Sequence, residues 1–346
     1  TDSSCPALLL EPQRTNIVPI SEGVPEGFSG VTLTENYGTS PEGVTNSLKI
    51  TKGGNQNDRI RPINDGNAVL VSGRDYTISA FVKNLDVANG GITTIACRVT
   101  GGTLFRLGYE WNEASLTKSV QYGSGTRVNE ILEDYGNGWW RIGFGFEADG
   151  TQGNMEVDVD RLNGTDNTSI ETWGWQFEST TGDASYATSY IPTYGSAVTR
   201  NADAASKTGI SDLINDSEGT LFVEASTLEN GADCRITISD NTINNRVSIE
   251  WDANADTIKG FIGVGGNLQT TSYDQTNMNK IALVYNATDA RLFINGTKVF
   301  TDSSVPSLSG MDRLEFSNYA AALPFVGNTN KLLILKEKLT DQEAID

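Results

Sequence analysis

Histidine is absent from all 346 residues. Its loss removes the commonest general base, every Ser-His-Asp arrangement and every imidazole metal site. Long apolar runs are missing too. The longest purely aliphatic stretches, Ala7–Leu10 and Leu332–Leu335, fall far short of the roughly 20 residues a membrane-spanning helix needs, so membrane insertion is not expected. Cysteine is scarce: Cys5, Cys97 and Cys234 are odd in number, far apart and without paired spacing, which argues against a disulfide framework and leaves at most one bridge open. Basic runs are lacking as well. With 25 basic against 44 acidic residues and a net charge of −19, nucleic acids and anionic membranes would be repelled over most of the surface. Neither an initiator Met nor a signal peptide opens the chain at Thr1-Asp-Ser-Ser-Cys5, and the expectation is a fragment of a longer protein.

What is present points to an all-β protein. Glycine is abundant (36), and Gly-Asn, Asn-Gly and Asp-Gly pairs recur between short alternating runs, the pattern of short strands joined by tight turns. Trp173, Trp175 and Phe177 fall two apart and are expected on one strand face, with Thr172, Gly174, Gln176 and Glu178 on the other. Tyr76, Ile78, Ala80 and Val82 alternate with Thr77, Ser79 and Lys83. Phe105, Leu107, Tyr109 and Trp111 make a further apolar face, as do Trp140, Ile142, Phe144 and Phe146, and Met155, Val157 and Val159 oppose Glu156, Asp158 and Asp160. About eight such strands suffice for two packed antiparallel sheets, a jelly-roll sandwich. The extended segment through Pro192 reads as the exit from this unit.

After Asp203 the pattern restarts. Thr220–Ala225, Cys234–Ser239, Arg246–Asp252, Thr257–Val264 and Thr270–Tyr273 are short strands at regular spacing. Asn295-Gly296 is a two-residue hairpin turn of type I′, and Thr340 is positioned to cap one last helical turn. The expected division is residues 1–205, including an N-terminal arm that pairs at a sheet edge or packs under the domain, and residues 206–346.

Pro6-Ala-Leu-Leu-Leu-Glu-Pro-Gln-Arg-Thr-Asn16, the Tyr76–Lys83 run, Gly138-Trp-Trp-Arg-Ile142 and Trp173–Asp203 resemble, in the same order, a carbohydrate-binding-module-like jelly roll common in bacteriophage tail fibres and head spikes. The resemblance covers roughly residues 1–205. The Asn295-Gly296 hairpin, Phe325-Val-Gly-Asn328 and the Lys331–Leu335 strand make residues 210–346 similar to a laminin G-like (concanavalin A-like) lectin domain. These resemblances imply a virion appendage with a host cell-surface glycan as partner, assembly with other virion proteins and a homotrimeric state, and they bring no catalytic residues.

Sugar binding asks for aromatics that stack on pyranose faces, with polar groups beside them for hydroxyls. Trp139 faces away from the inward set of its strand and shares that side with Arg141. Trp111 stands at a strand end beside Asn112 and Glu113, and Tyr273, Tyr319 and Asn328 lie where loops of the second unit should gather. Calcium is the one cofactor for which the sequence offers ligands: Asp158 and Asp160 share a face, with Asp149, Asp166 and Asn167 nearby, although no spacing matches a defined calcium loop. Glu250 and Asp252 are the nearest approach to a glycosidase carboxylate pair and read better as solvated acids, so catalysis is not expected. The leading expectation is a non-catalytic virion appendage presenting lectin-like modules. The alternatives are a secreted or cell-surface glycan-binding module of a larger bacterial enzyme or adhesin, and a structural spacer.

Overall fold

The computed structural model describes residues 7–121, 123–161, 167–179, 185–254, 256–264, 266–269 and 273–345. Among them, every strand ladder is antiparallel, and contacts divide the chain into two compact units. One is Gln13–Asn201. The other begins at Ala202 and also takes in the N-terminal residues up to Pro12.

The Gln13–Asn201 unit is a sandwich. Its first sheet runs in the order Ser115–Gln121, Leu104–Asn112, Ile92–Arg98, Gln152–Asp158, Arg59–Val69, Gly27–Ser29. The second runs Val128–Gly136, Trp139–Glu147, Asp75–Asn84, Ser169–Ser179, Arg14–Asn16, Val198–Arg200, with Leu48–Lys52 and Val31–Thr34 added beside Ser169–Ser179. The period-2 pattern explains the pairing of these sheets. Tyr76, Ile78, Ala80, Val82, Phe105, Leu107, Tyr109, Trp111, Ile142, Phe144, Phe146, Met155 and Val157 all meet in one buried core, as alternation predicts for two facing sheets. Trp140, expected inward, is only partly buried against that core.

The tryptophan strand departs from simple alternation. Trp173 stands opposite Phe81 and Gln176 opposite Ser79, so three residues on one strand span two on its partner. This is a β-bulge, and Gly174 supplies the positive φ of 62° it requires. Trp175 and Phe177 enter the core, whereas Trp173 turns to the outer face beside Phe81 and Trp139. The expectation that all three aromatics share a face is corrected by this one extra residue.

The second unit is also built from two sheets. One runs Leu8–Leu10, Gly327–Leu335, Glu218–Thr227, Asn279–Asn286, Ala290–Ile294, Thr297–Asp302. The other runs Ser206–Thr208, Arg313–Glu315, Cys234–Ser239, Arg246–Trp251, Ile258–Ile262, Gly266–Gln269. Leu221, Val223, Ile236, Ile238, Ile249, Trp251, Ile281, Leu283 and Phe325 fill the space between them. Asn295 and Gly296 take φ of 50° and 76°, the double positive φ of the type I′ turn. Thr340 caps the closing Asp341–Ile345 helix in a reciprocal box: its Oγ accepts the Glu343 N–H at 3.3 Å while the Glu343 carboxylate accepts the Thr340 N–H at 2.8 Å.

The arm is where the expected division changes. Leu8–Leu10 does not join the sheets of the first sandwich but pairs with Gly327–Leu335, Leu10 opposite Gly327. Beside it the Glu11 N–H donates to Asp203 Oδ2 at 2.9 Å and the Asp203 N–H donates to the Glu11 carbonyl at 2.9 Å. Leu8 and Leu9 stay exposed opposite Thr329 and Asn328, and Leu10 ends in the second core. Cys97 and Cys234 are free thiols buried in different units; burial pushes Cys234 up to about 12. Cys5 and the 270–272 part of the expected Thr270–Tyr273 strand lie outside the described residues.

Candidate functional site

On the outer face of the tryptophan-strand sheet, the bulge gathers an aromatic cluster. Trp173, Phe81 and Trp139 form its buried floor, with Trp173 and Phe81 ring centres 5.3 Å apart. Tyr190 closes over Trp173 at 4.4 Å, and Tyr135 meets the Phe81 edge at 4.8 Å in a T-shaped contact. Above this floor the surface is open: Tyr135 is 49% exposed and Tyr194 is 75% exposed. Tyr135 lies at the end of the Val128–Gly136 strand just before the Gly136–Gly138 turn, and Tyr194 makes an isolated bridge to Ile20 between Pro192 and Gly195.

Glu22 ties the platform together. Its Oε1 accepts the Tyr190 hydroxyl at 3.0 Å and the Tyr194 hydroxyl at 3.4 Å, and its Oε2 accepts the Asn46 amide at 3.0 Å. Burial holds this carboxyl above its ordinary value, against the lowering effect of the Tyr190 hydrogen bond. The same amide nitrogen reaches Glu42 at 3.3 Å. Three polar atoms near here are buried and lack a hydrogen bond among the described residues: the Trp173 indole Nε1, Asn46 Oδ1 and Thr193 Oγ1. The groups within reach of a ligand are the two exposed tyrosine rings and the Tyr194 hydroxyl that donates to Glu22, a combination of ring face and polar group suited to a hydroxyl-rich molecule.

Two of the residues nominated from sequence lie beneath this platform rather than on it. Trp139 is buried, its indole N–H held by the Thr39 carbonyl at 3.0 Å. Arg141 is buried under the 185–191 segment, donating to Thr188 O at 2.7 Å and Ser79 Oγ at 3.1 Å. Alternation placed both on the outer face correctly; loops cover them, so neither can stack on a sugar. Trp111 is corrected more fully, since it is wholly buried in the first core with its N–H on Thr93 Oγ at 2.8 Å. The other three nominations fall in the second unit and do not converge. Tyr273 is half-buried against that core, Tyr319 lies with its ring 5.4 Å from the Arg246 guanidinium, and Asn328 is a strand residue between Leu9 and Ser226.

The calcium pair is corrected as well. Asp158 is buried in an ion network on the outer face of the opposite sheet, bonded by Thr94 Oγ at 2.5 Å and flanked by Arg59 at 3.3 Å, Arg106 at 3.4 Å and Arg161 at 3.8 Å. Asp160 Oδ1 accepts the Ile92 N–H at 3.1 Å. Asp149 is engaged by Thr103, and Asp166 lies outside the described residues. Among the described residues no group of three or more acids and cysteines is placed to hold a metal. Glu250 and Asp252 are not a free acid pair either: Arg235 and Lys259 bridge to them. Burial raises Glu250 above its ordinary value, while hydrogen bonds from Lys259 and Asn254 outweigh burial to hold Asp252 down at about 2.

A groove of about 570 Å³ belongs to the second unit, between the outer side of the Glu218–Thr227 sheet and the closing helix. Its floor is mainly aliphatic, with Leu333, Leu335 and Ala282, and its one ring, Phe222, lies under Lys331 at 5.9 Å. It presents no exposed aromatic pair, and for a sugar the tyrosine platform is the better chemistry.

No family model matches the chain, and no curated protein matches it. Among solved structures it is similar to the CBM40 of Ruminococcus gnavus IT-sialidase bound to alpha2,3 sialyllactose, at 16% identity and TM-score 0.33, covering 38% of this chain and 82% of that one. It is also similar to domains LG4-5 of the mouse laminin alpha1 chain, at 11% identity and TM-score 0.27, covering 84% and 93%. A third is Trypanosoma rangeli sialidase, at 9% identity and TM-score 0.30, covering 92% and 62%. Likenesses this distant carry no weight for a site or a ligand, which have to come from the residues above.

Proposed function

We propose that this chain is a non-catalytic glycan-binding protein and that the tyrosine platform of the first sandwich receives the sugar. The observation behind this reading is a pair of exposed rings on an aromatic floor, Tyr135 packed edge-on against Phe81 and Tyr194 donating its hydroxyl to the Glu22 carboxylate. A pyranose presents an apolar C–H face to a ring and hydroxyls that both donate and accept. The non-catalytic part is supported by a sequence without histidine and by the engagement of Glu250 and Asp252 with basic partners.

The setting we propose is a virion appendage, a tail fibre or head spike, in which the chain assembles with other virion proteins as a homotrimer and meets a host cell-surface glycan. The ordered motif series across residues 6–203 supports that setting. A glycan array probed with the 346-residue chain, with and without calcium, tests the binding. A hit should weaken about tenfold, or about 1.4 kcal/mol, in Tyr194→Ala or Tyr135→Ala, with thermal unfolding unchanged as befits exposed side chains. A silent array, or both variants binding like the parent, overturns the reading. Native mass measurements that find only monomer overturn the homotrimer.

A further inference from the structure

The second unit carries an outer face of different chemistry. Alternation along Cys234–Ser239, Arg246–Trp251 and Ile258–Ile262 turns Arg235, Thr237 and Ser239, then Arg246, Ser248 and Glu250, then Lys259 and Phe261, away from the core. Most cations here have an acid close by. Arg235 is bridged by Glu250, Lys259 by Asp252 and, at 4.0 Å, by Glu250, and Arg313 by Asp312 at 3.2 Å.

Arg246 is the exception on this face. It is 6% exposed, and among the described residues no carboxylate lies within ion-pair distance of it. Its Nε–H donates to the Gly263 carbonyl at 3.2 Å, and its two terminal nitrogens, the fork of the guanidinium, make no hydrogen bond to a described residue. The guanidinium carbon lies 5.0 Å from the Phe261 ring centre and 5.4 Å from that of Tyr319. Two ring faces favour a cation held there, but they leave its terminal N–H donors without an acceptor among the described residues. A nearly buried charge without a counter-ion is costly. Burial and the neighbouring Arg235 both act to lower its proton affinity. A planar, two-oxygen anion answers both deficits, because a carboxylate matches the guanidinium fork with two parallel hydrogen bonds.

We propose that Arg246, flanked by Phe261 and Tyr319, is a second binding site whose ligand is a carboxylate-bearing saccharide. The choice of a saccharide rests on the glycan-binding reading above; the choice of a carboxylate rests on Arg246 alone.

The test is ligand-observed NMR titration of the full chain with D-glucuronate, D-glucose and acetate. D-glucuronate should saturate, while D-glucose and acetate bind at least tenfold more weakly. Arg246→Lys keeps a cation but loses the fork, and should weaken glucuronate at least tenfold; Arg246→Gln should abolish its binding. Thermal melts report folding, and the milder lysine variant carries the test if the glutamine variant does not fold. Tyr194→Ala should leave glucuronate binding intact, which separates this site from the platform whatever the array shows. Acetate binding as tightly as glucuronate overturns the saccharide part. No glucuronate binding by the parent, or equal binding by Arg246→Lys, overturns the whole.

Discussion

The first sandwich has two outer faces built by the same alternation, and they are closed in opposite ways. On the sheet containing Gln152–Asp158 the outward residues are ions: Glu156 takes Arg59 at 2.6 Å and Arg106 at 2.5 Å, and Asp158 lies among three arginines. On the tryptophan-strand sheet they are Phe81, Trp139 and Trp173. Both sets are buried. The ionic face is matched charge against charge, and the two buried atoms that lack a hydrogen bond there among the described residues, Arg106 Nε and Asp158 Oδ1, both belong to side chains that are ion-paired. The aromatic face has no such matching, and above it the Tyr135 and Tyr194 rings stay exposed. A face whose charges answer one another is structural; a face that leaves aromatic rings accessible has something to offer a ligand.

Breaking the ionic face should have the largest effect. Arg106→Ala leaves Glu156 and Asp158 buried and short of a cation, and should cost about 3–5 kcal/mol, read as a lower denaturant midpoint at unchanged slope. A loss below about 1 kcal/mol would mean that the network behaves as a solvated surface pair. Gly174→Ala attacks the aromatic face through its backbone. The added carbon would meet Phe81 Cδ2 at 2.9 Å at a φ of 62°, and strain of about 1–3 kcal/mol is expected, together with a changed near-ultraviolet tryptophan signal. An alanine variant as stable as the parent would show that the bulge does not hold Trp173 outward.

The smallest effect sharpens the comparison by pH. The Glu22 carboxyl is raised in the folded state by burial, so its contribution to stability is fully present below the unfolded value of about 4.3 and is lost as pH rises through the folded value. Glu22→Gln removes that loss. The variant should melt slightly higher than the parent at pH 7 and no higher below pH 4; an equal gain at both would assign the effect to packing rather than to charge.

Much of the sandwich was legible because a buried face writes itself into every second residue. Tyr76 to Val82 and Phe105 to Trp111 point where alternation puts them, and Asn295-Gly296 turns as its φ requirement demands. Alternation names a side, however, and not what covers that side. Alternation puts Trp139, Arg141 and Asp158 on outer faces, but the burial of Trp139 and Arg141 involves Thr39 and Thr188 from far along the chain, and that of Asp158 involves arginines of its own sheet. The bulge escaped because glycine in a strand is compatible with plain pleating as well as with a slip. Tyr135 and Tyr194 carry a usable signal, an aromatic ring one residue before a glycine, which is weaker than the pull of the tryptophans.

The clasp between Glu11 and Asp203 also sets an order of events during synthesis. Leu10 leaves the ribosome 317 residues before Gly327, the position it will face. At about 5–20 residues per second that interval is on the order of 15–60 seconds, long enough for Gln13–Asn201 to fold while three leucines wait for a partner. The second sandwich is therefore finished last and from both directions. A clone begun at residue 206 would leave the Gly327–Leu335 edge bare, inviting neighbouring molecules to supply the missing strand.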